Sequence, residues 1–137
     1  MRPIVVFDTN VLLSGIGWRG TPYRCLELAR RGTVEGITCP EILDELAEKL
    51  RGKLGIPDDH VSDTIADLLG FLRVVSISGG LRVVSSDPDD DKIVECAVAG
   101  GARLIVTGDR RHLLPMVRYE GVEIISAADL LVRYGQT

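Results

Sequence analysis

The sequence predicts an α/β sandwich: a mostly parallel sheet of about five strands with helices on both faces. Short runs rich in valine and isoleucine alternate along the chain with longer amphipathic stretches, which is typical of parallel strands joined by helices. The length agrees, because 137 residues, 45% hydrophobic and 26% charged, suffice for one core and not for two. We therefore expect one domain that spans residues 1–137.

Five apolar runs are the predicted strands. Each is short and rich in β-branched residues, as expected for strands that are buried on both faces. In chain order they cover residues 4–7, 36–39, 73–77, 104–107 and 122–125. The segment 78–86 stays open, because its LRVVS run fits either a short strand or an extended loop.

Five stretches between and after these runs predict amphipathic helices, since their apolar residues recur at three- and four-residue steps. In chain order they cover residues 21–31, 40–54, 57–72, 90–99 and 126–134. Thr21, followed by Pro22, is the expected N-cap of the first of these helices, and Ser126 is the expected N-cap of the last.

The composition excludes several classes of protein. No apolar run approaches the roughly 18 residues of a membrane span, and the N-terminus lacks the pattern of a signal peptide. Three widely spaced cysteines fit neither a zinc motif nor a disulfide framework. We therefore expect a soluble, cytoplasmic protein with reduced thiols. Its 16 basic and 20 acidic residues give a net charge of −4, which is not the basic footprint usual for nucleic-acid binding.

Two aspartates follow predicted strands directly. Asp8 comes after the first strand, and Asp109 comes shortly after the strand at 104–107. Because open parallel sheets bind ligands beyond the carboxyl ends of their strands, both are candidates for one site. Carboxylate oxygens suit hard divalent cations, so the pair is modest support for a metal site. The alternative is local: Asp8 caps a following helix and Asp109 forms a turn.

Asp90 is a third candidate acid. On a helical wheel, the apolar arc of this helix is centred almost on Asp90, and Asp91 lies at its edge. A carboxylate within a buried face costs several kcal/mol unless it is paired. The alternative is that Asp90 caps the helix, which contributes about 1 kcal/mol.

The helix predicted at 40–54 carries further acids. On the wheel, Glu41 and Glu48 face solvent, while Asp44 and Glu45 lie on the two flanks of the apolar face. The pattern alone favours a solvated face in which Glu45 pairs with Lys49 one turn later.

Four motifs carry a resemblance to a known family. They are DTN at 8–10, CPEILDELAE at 39–48, DPDDDKIVECA at 87–97 and LIVTGD at 104–109. In this order and spacing the chain resembles the PIN-domain ribonucleases, in particular the VapC-type toxins of bacterial and archaeal toxin–antitoxin systems. The resemblance covers nearly the whole chain and implies a parallel sheet with strand order 3-2-1-4-5.

The resemblance also implies the site residues. Four acids would bind Mg²⁺ or Mn²⁺ and act in catalysis: Asp8, Glu45, Asp90 and Asp109. Asp90 matches the third acid because Ile93 follows three residues later and Ala97 seven residues later. Three polar side chains match positions beside the acids: Thr9, Asn10 and Thr107. The number of metal ions stays open, as does any contribution from Asp87 or Asp91.

The implied function is metal-dependent hydrolysis of RNA phosphodiester bonds by a toxin-type endoribonuclease. Ions held by carboxylates lower the pKa of bound water, neutralise the phosphate and stabilise the leaving oxygen. A homodimer and a small antitoxin partner are implied as well, and the mean hydropathy of +0.17 agrees with apolar surface that a second copy would cover.

Three other interpretations compete. A receiver-type domain needs an acidic pair after the first strand and a late lysine, but no lysine follows Lys92. A metal-dependent phosphatase of the haloacid-dehalogenase type needs Asp-x-Asp, but residue 10 is Asn. A non-catalytic PIN-like binding or assembly module is disfavoured, because retaining four clustered acids without a metal costs stability.

Overall fold

A six-stranded sheet forms the centre of the structure, a computed structural model that describes residues 2–84 and 87–135. Its strands are β1 (Ile4–Phe7), β2 (Glu35–Thr38), β3 (Leu72–Val74), β4 (Leu104–Val106), β5 (Arg118–Tyr119) and β6 (Val122–Ile125). They lie in the order β3-β2-β1-β4-β6-β5, and only β5 pairs antiparallel with its neighbour. The predicted order 3-2-1-4-5 is confirmed, because β6 is the fifth predicted strand and β5 adds an edge.

The sheet register brings two strand ends together. Val6 of β1 lies between Ile37 of β2 and Ile105 of β4. Val5, Val6 and all three residues of β4 are at most 4% exposed, as expected for central strands covered on both faces. Because β1 and β4 are parallel and in register, the residues that follow them emerge side by side at one edge.

Six α-helices accompany the sheet in the described part of the chain. They are α1 (Thr9–Gly17), α2 (Thr21–Arg30), α3 (Pro40–Gly52), α4 (Asp58–Leu69), α5 (Asp91–Ala99) and α6 (Ala127–Tyr134). Helix α5 packs on β1, β2 and β4, while α1 packs on α2 and α3. The predicted α/β architecture with a mostly parallel sheet is therefore confirmed. None of the described helices has the length and hydrophobicity needed to cross a membrane.

Several predicted boundaries were wrong by a few residues. Gly20, not Thr21, is the N-cap of α2, so Thr21 and Pro22 are its first two residues. The helices predicted at 40–54 and 57–72 end earlier, at Gly52 and Leu69. Ser126 caps α6 as predicted, because its hydroxyl accepts a hydrogen bond from the Asp129 backbone N–H at 3.1 Å.

The ambiguous segment at 78–86 is an extended loop over its described part, residues 78–84; residues 85 and 86 lie outside the described residues. No strand pairs with it there, because carboxylates of α5 accept its backbone N–H groups. Asp91 accepts from Val83 and Val84, and Glu95 accepts from Leu81. The loop is therefore held against α5 by two carboxylates of that helix, Asp91 and Glu95.

Candidate active site

A cleft of about 780 Å³ lies where β1 and β4 end. The four predicted acids line it, and they come from four separate segments of the chain: Asp8, Glu45, Asp90 and Asp109. The three predicted polar residues line it as well: Thr9, Asn10 and Thr107. The cleft thus brings together all seven residues that the resemblance assigned to the site, while their roles stay predictions.

Asp8 joins β1 to α1. One carboxylate oxygen accepts the Val11 backbone N–H at 2.8 Å, which caps the helix, and the other accepts the hydroxyl of Thr107. Asp8 is buried, and this burial raises its pKa even though both hydrogen bonds act in the opposite direction. The capping alternative is therefore correct for Asp8, and the same carboxylate also lines the cleft.

Asp109 follows β4 in a tight turn. Its backbone N–H donates to the Thr107 hydroxyl, and its carboxylate accepts the backbone N–H groups of Arg111 and His112, each at 3.0 Å. Burial alone would raise the pKa of Asp109, but the hydrogen bond with Asp90 and the two backbone donors outweigh it and lower the pKa. The alternative that Asp109 forms a turn is therefore correct, and its carboxylate also lines the cleft.

Asp90 precedes α5 but does not cap it. Its side chain makes no capping hydrogen bond, so the capping alternative was wrong. Its Oδ2 atom is buried and has no hydrogen-bond partner among the described residues. Burial raises the pKa of Asp90 to about 8, and the nearby carboxylates of Asp109, Asp87 and Asp8 act in the same direction. One oxygen of Asp90 is thus left without a hydrogen-bond partner in the described part of the protein.

Glu45 faces the cleft from α3. Its Oε1 atom accepts the Thr9 hydroxyl at 2.5 Å and lies 3.3 Å from Lys92 Nζ, and its Oε2 atom lies 3.9 Å from Lys49 Nζ. Burial would raise the pKa of Glu45, but Thr9 and the two lysines outweigh it and lower the pKa. The predicted Glu45–Lys49 pair exists, yet a purely solvated position for Glu45 was wrong. Three other acids of α3 are exposed: Glu41, Asp44 and Glu48.

Asp91 behaves differently from its wheel position. It was placed at the edge of the apolar arc, but it is only 4% exposed and is not among the residues lining the cleft. Its Oδ1 atom accepts the backbone N–H groups of Val83 at 2.9 Å and Val84 at 2.7 Å. Asp91 therefore holds the preceding loop. Asp87 and Asp89, the other acids of the DPDDD motif, do line the cleft.

The donor set suits a hard divalent cation. All four acids offer carboxylate oxygens, the ligands that Mg²⁺ and Mn²⁺ prefer, and Asp90 offers an oxygen without a partner. The described residues contain no group of three or more His, Cys, Asp or Glu side chains already close enough to hold a metal ion. The residues fit such an ion by chemistry and by location, and binding would require their side chains to converge.

Comparisons with known proteins agree with this architecture. A family model for the PIN domain matches residues 4–111. VapBC2 from Rickettsia felis, solved bound to a DNA fragment from its promoter, is 18% identical, has a TM-score of 0.62 and covers 90% of this chain and 98% of its own.

Two further solved structures share the fold. PAE2754 from Pyrobaculum aerophilum is 20% identical, with a TM-score of 0.63 and 98% of both chains covered. The PIN domain of human SMG5 is 16% identical, with a TM-score of 0.56, and covers 96% of this chain and 99% of its own. No curated protein matches at a significant level. Since the family model spans well over half of the sequence, the chain belongs to the PIN-domain family.

Proposed function

We propose that this chain is a ribonuclease that depends on Mg²⁺ or Mn²⁺ and hydrolyses RNA phosphodiester bonds in the acidic cleft, as a toxin-type endoribonuclease. The observation that carries the proposal is the buried Asp90 oxygen without a partner, which lies among three further acids in a PIN-domain nuclease fold. A protein that kept these acids for stability alone would pair or cap each of them.

Four side chains would hold the ion: Asp8, Glu45, Asp90 and Asp109. When bound, it supplies an activated water at neutral pH and charge neutralisation for the phosphate and the leaving oxygen. Thr107 and Thr9 orient Asp8 and Glu45 through hydrogen bonds, and backbone N–H groups orient Asp109. The raised pKa of Asp90 disfavours its ionised form, and a bound cation would favour that form because carboxylates bind metal ions when deprotonated. No side chain of the cleft is needed as a nucleophile.

The proposed partners follow from the family and the surface. A small antitoxin protein would bind this chain, as the toxin-type assignment implies, and two copies of the chain would form a homodimer. Exposed apolar side chains, among them Trp18, Val117 and Val132, support a surface that a partner would cover. Light scattering at micromolar concentration tests the dimer, and a monomer would contradict it.

The function is tested with purified, metal-stripped protein and labelled single-stranded RNA. We expect cleavage only after Mg²⁺ or Mn²⁺ is added, with loss of cleavage in excess EDTA. Water is the proposed nucleophile, so the products should carry no cyclic phosphate, unlike those of a contaminating ribonuclease that uses the RNA 2′-hydroxyl. The Asp90→Asn variant, purified in parallel, is the control for such contamination.

Two results would overturn the proposal. Cleavage by metal-free protein that persists unchanged in EDTA would exclude the metal mechanism. A protein that binds Mn²⁺ and RNA but cleaves no RNA would instead support the non-catalytic binding module.

A further inference from the structure

We propose that Lys49 is the phosphate-binding residue of this cleft and contacts the RNA backbone beside the acids. The inference deepens the proposed function and rests on it, since it presumes that RNA is the molecule bound there.

The position of Lys49 is defined by contacts to two helices. Its ammonium group donates a hydrogen bond to Asn10 Oδ1 at 2.9 Å, on α1, and lies 3.9 Å from Glu45 Oε2, one turn earlier on α3. The side chain lines the cleft and is 23% exposed. The ammonium group is therefore held at the rim of the cleft, partly in contact with solvent.

Glu45 has closer partners than Lys49. Lys92 lies closer to it, at 3.3 Å, and the Thr9 hydroxyl donates to the same carboxylate. The distance of 3.9 Å from Lys49 to Glu45 is too long for a hydrogen bond. Of its three donors, the Lys49 ammonium group uses one, on Asn10, so two remain for an incoming acceptor.

Lys92 differs from Lys49 in its hydrogen bonds and in its position relative to the cleft. Its ammonium group donates to the Asp89 carbonyl oxygen at 2.6 Å as well as pairing with Glu45, and it is not among the residues lining the cleft. Lys92 thus directs two of its three donors at protein acceptors and lies outside the cleft, whereas Lys49 has two donors to spare at the cleft.

The negative charge of the cleft explains why a basic side chain is needed there to bind a phosphate group. Six acids line it: Asp8, Glu45, Asp87, Asp89, Asp90 and Asp109. Among the described lining residues, the basic side chains are Lys49, Arg110 and His112. His112 Nε2 lies 3.9 Å from Asp87, and Arg110 is exposed on the turn after β4. A phosphodiester approaching so many carboxylates is repelled, and a lysine held among them lowers this barrier as a compact point charge.

The test compares Lys49→Met, which keeps the aliphatic stem, with Lys49→Arg and with Lys53→Met. Lys53 is a matched control, because it is exposed at the end of the same helix and is not a lining residue of the cleft. Each variant is measured in saturating Mn²⁺ for kcat and KM on a short RNA. RNA binding is measured separately by fluorescence anisotropy over a range of salt concentrations, with Ca²⁺ in place of Mn²⁺ to suppress cleavage.

We expect Lys49→Met to weaken RNA binding and raise KM by about tenfold, with little change in kcat. The slope of log affinity against log salt should fall by about one. Lys49→Arg should retain the slope, and Lys53→Met should match the wild type in affinity and KM. A merely structural role would shift the melting temperature and leave the salt slope unchanged.

The inference is overturned if Lys49→Met binds RNA with the wild-type affinity and salt slope, or if Lys53→Met weakens binding equally. Its failure is distinguishable from failure of the proposed function. A wild type that binds RNA without cleaving it refutes the function, while the anisotropy series still decides the role of Lys49. A wild type that neither binds nor cleaves RNA refutes both.

Discussion

Asp90 and Asp91 are neighbours in the chain, yet their carboxylates differ in hydrogen bonding. Asp91 is only 4% exposed and accepts two backbone N–H groups from the preceding loop. Asp90 has a buried oxygen without a partner, beside three other carboxylates that help raise its pKa to about 8. Burial therefore does not separate these two acids. The oxygen without a partner among like charges does, and on it we base the proposed metal-binding role of Asp90.

The same contrast between acids that hold the loop and the acid that lines the cleft extends along α5. Glu95, one turn after Asp91, accepts the Ser78 hydroxyl and the backbone N–H groups of Ser78, Gly79 and Leu81. Two carboxylates of the helix thus hold the loop at 78–84, and Asp90, just before the helix begins, lines the cleft. The loop-holding acids are satisfied by the protein itself, whereas one oxygen of Asp90 has no hydrogen-bond partner among the described residues.

The largest expected effect is the loss of activity in Asp90→Asn. This change keeps the shape and removes one charge, and we expect cleavage in saturating Mn²⁺ to fall at least about 100-fold, since even residues that only orient metal ligands cost 10–100-fold. The melting temperature in EDTA should not fall, because the amide, unlike the carboxyl group it replaces, cannot ionise among the other acids.

Asp91→Asn is the matched control for this loss. Its amide oxygen can still accept the two N–H groups of the loop, so most activity should remain. If Asp91→Asn abolishes cleavage and Asp90→Asn is harmless, the two assignments are reversed.

A second, smaller effect separates the two residues by stability. Asp91→Ala leaves the buried N–H group of Val84 and the part-buried N–H group of Val83 without their acceptor, which should lower the free energy of unfolding by about 2–4 kcal/mol. Asp90→Ala removes no hydrogen bond that caps α5 and should change stability much less. Urea titration of both variants in EDTA measures the difference, and an equal loss in the two would show that Asp90 is structural as well.

A further expected effect is on the pH dependence of stability without metal. The pKa of Asp90 rises from its ordinary 3.8 to about 8 on folding, so the folded state binds this proton more tightly. The free energy of unfolding should therefore fall as the pH rises from about 4 to about 8. Asp8, whose pKa is also raised, contributes in the same direction. The lowered pKa values of Glu45 and Asp109 act in the opposite direction, but only in more acidic solution.

Thermal melts in EDTA between about pH 5 and about pH 8 test this linkage. The decline should be shallower in Asp90→Asn, because every other titratable group is common to the two proteins. Identical slopes in the two proteins would show that Asp90 is not the group that titrates.

Much of the fold and part of the site could be predicted from local patterns. Short apolar runs placed the five parallel strands, and the acids that follow β1 and β4 were recognised because in-register strands must end at one edge. The helical wheel distinguished Asp90 from Asp91 but misplaced their burial: Asp90 lines the cleft and is half-buried, whereas Asp91, expected at the edge of the apolar arc, is the more buried of the two. The edge strand β5, only two residues long, was missed because it is too short to show a period.

The sequence by itself therefore determined where the strands lie along the chain and where the acids stand relative to them. Only the tertiary structure decided which partner each acid meets. A period shows that a side chain is buried, but it does not show what lies opposite. Glu45 is satisfied by Thr9 and by Lys92 from another helix, and Asp91 by the amides of an irregular loop. Such contacts join segments that no common period relates, so packing alone separates the acid left without a partner from its neighbours.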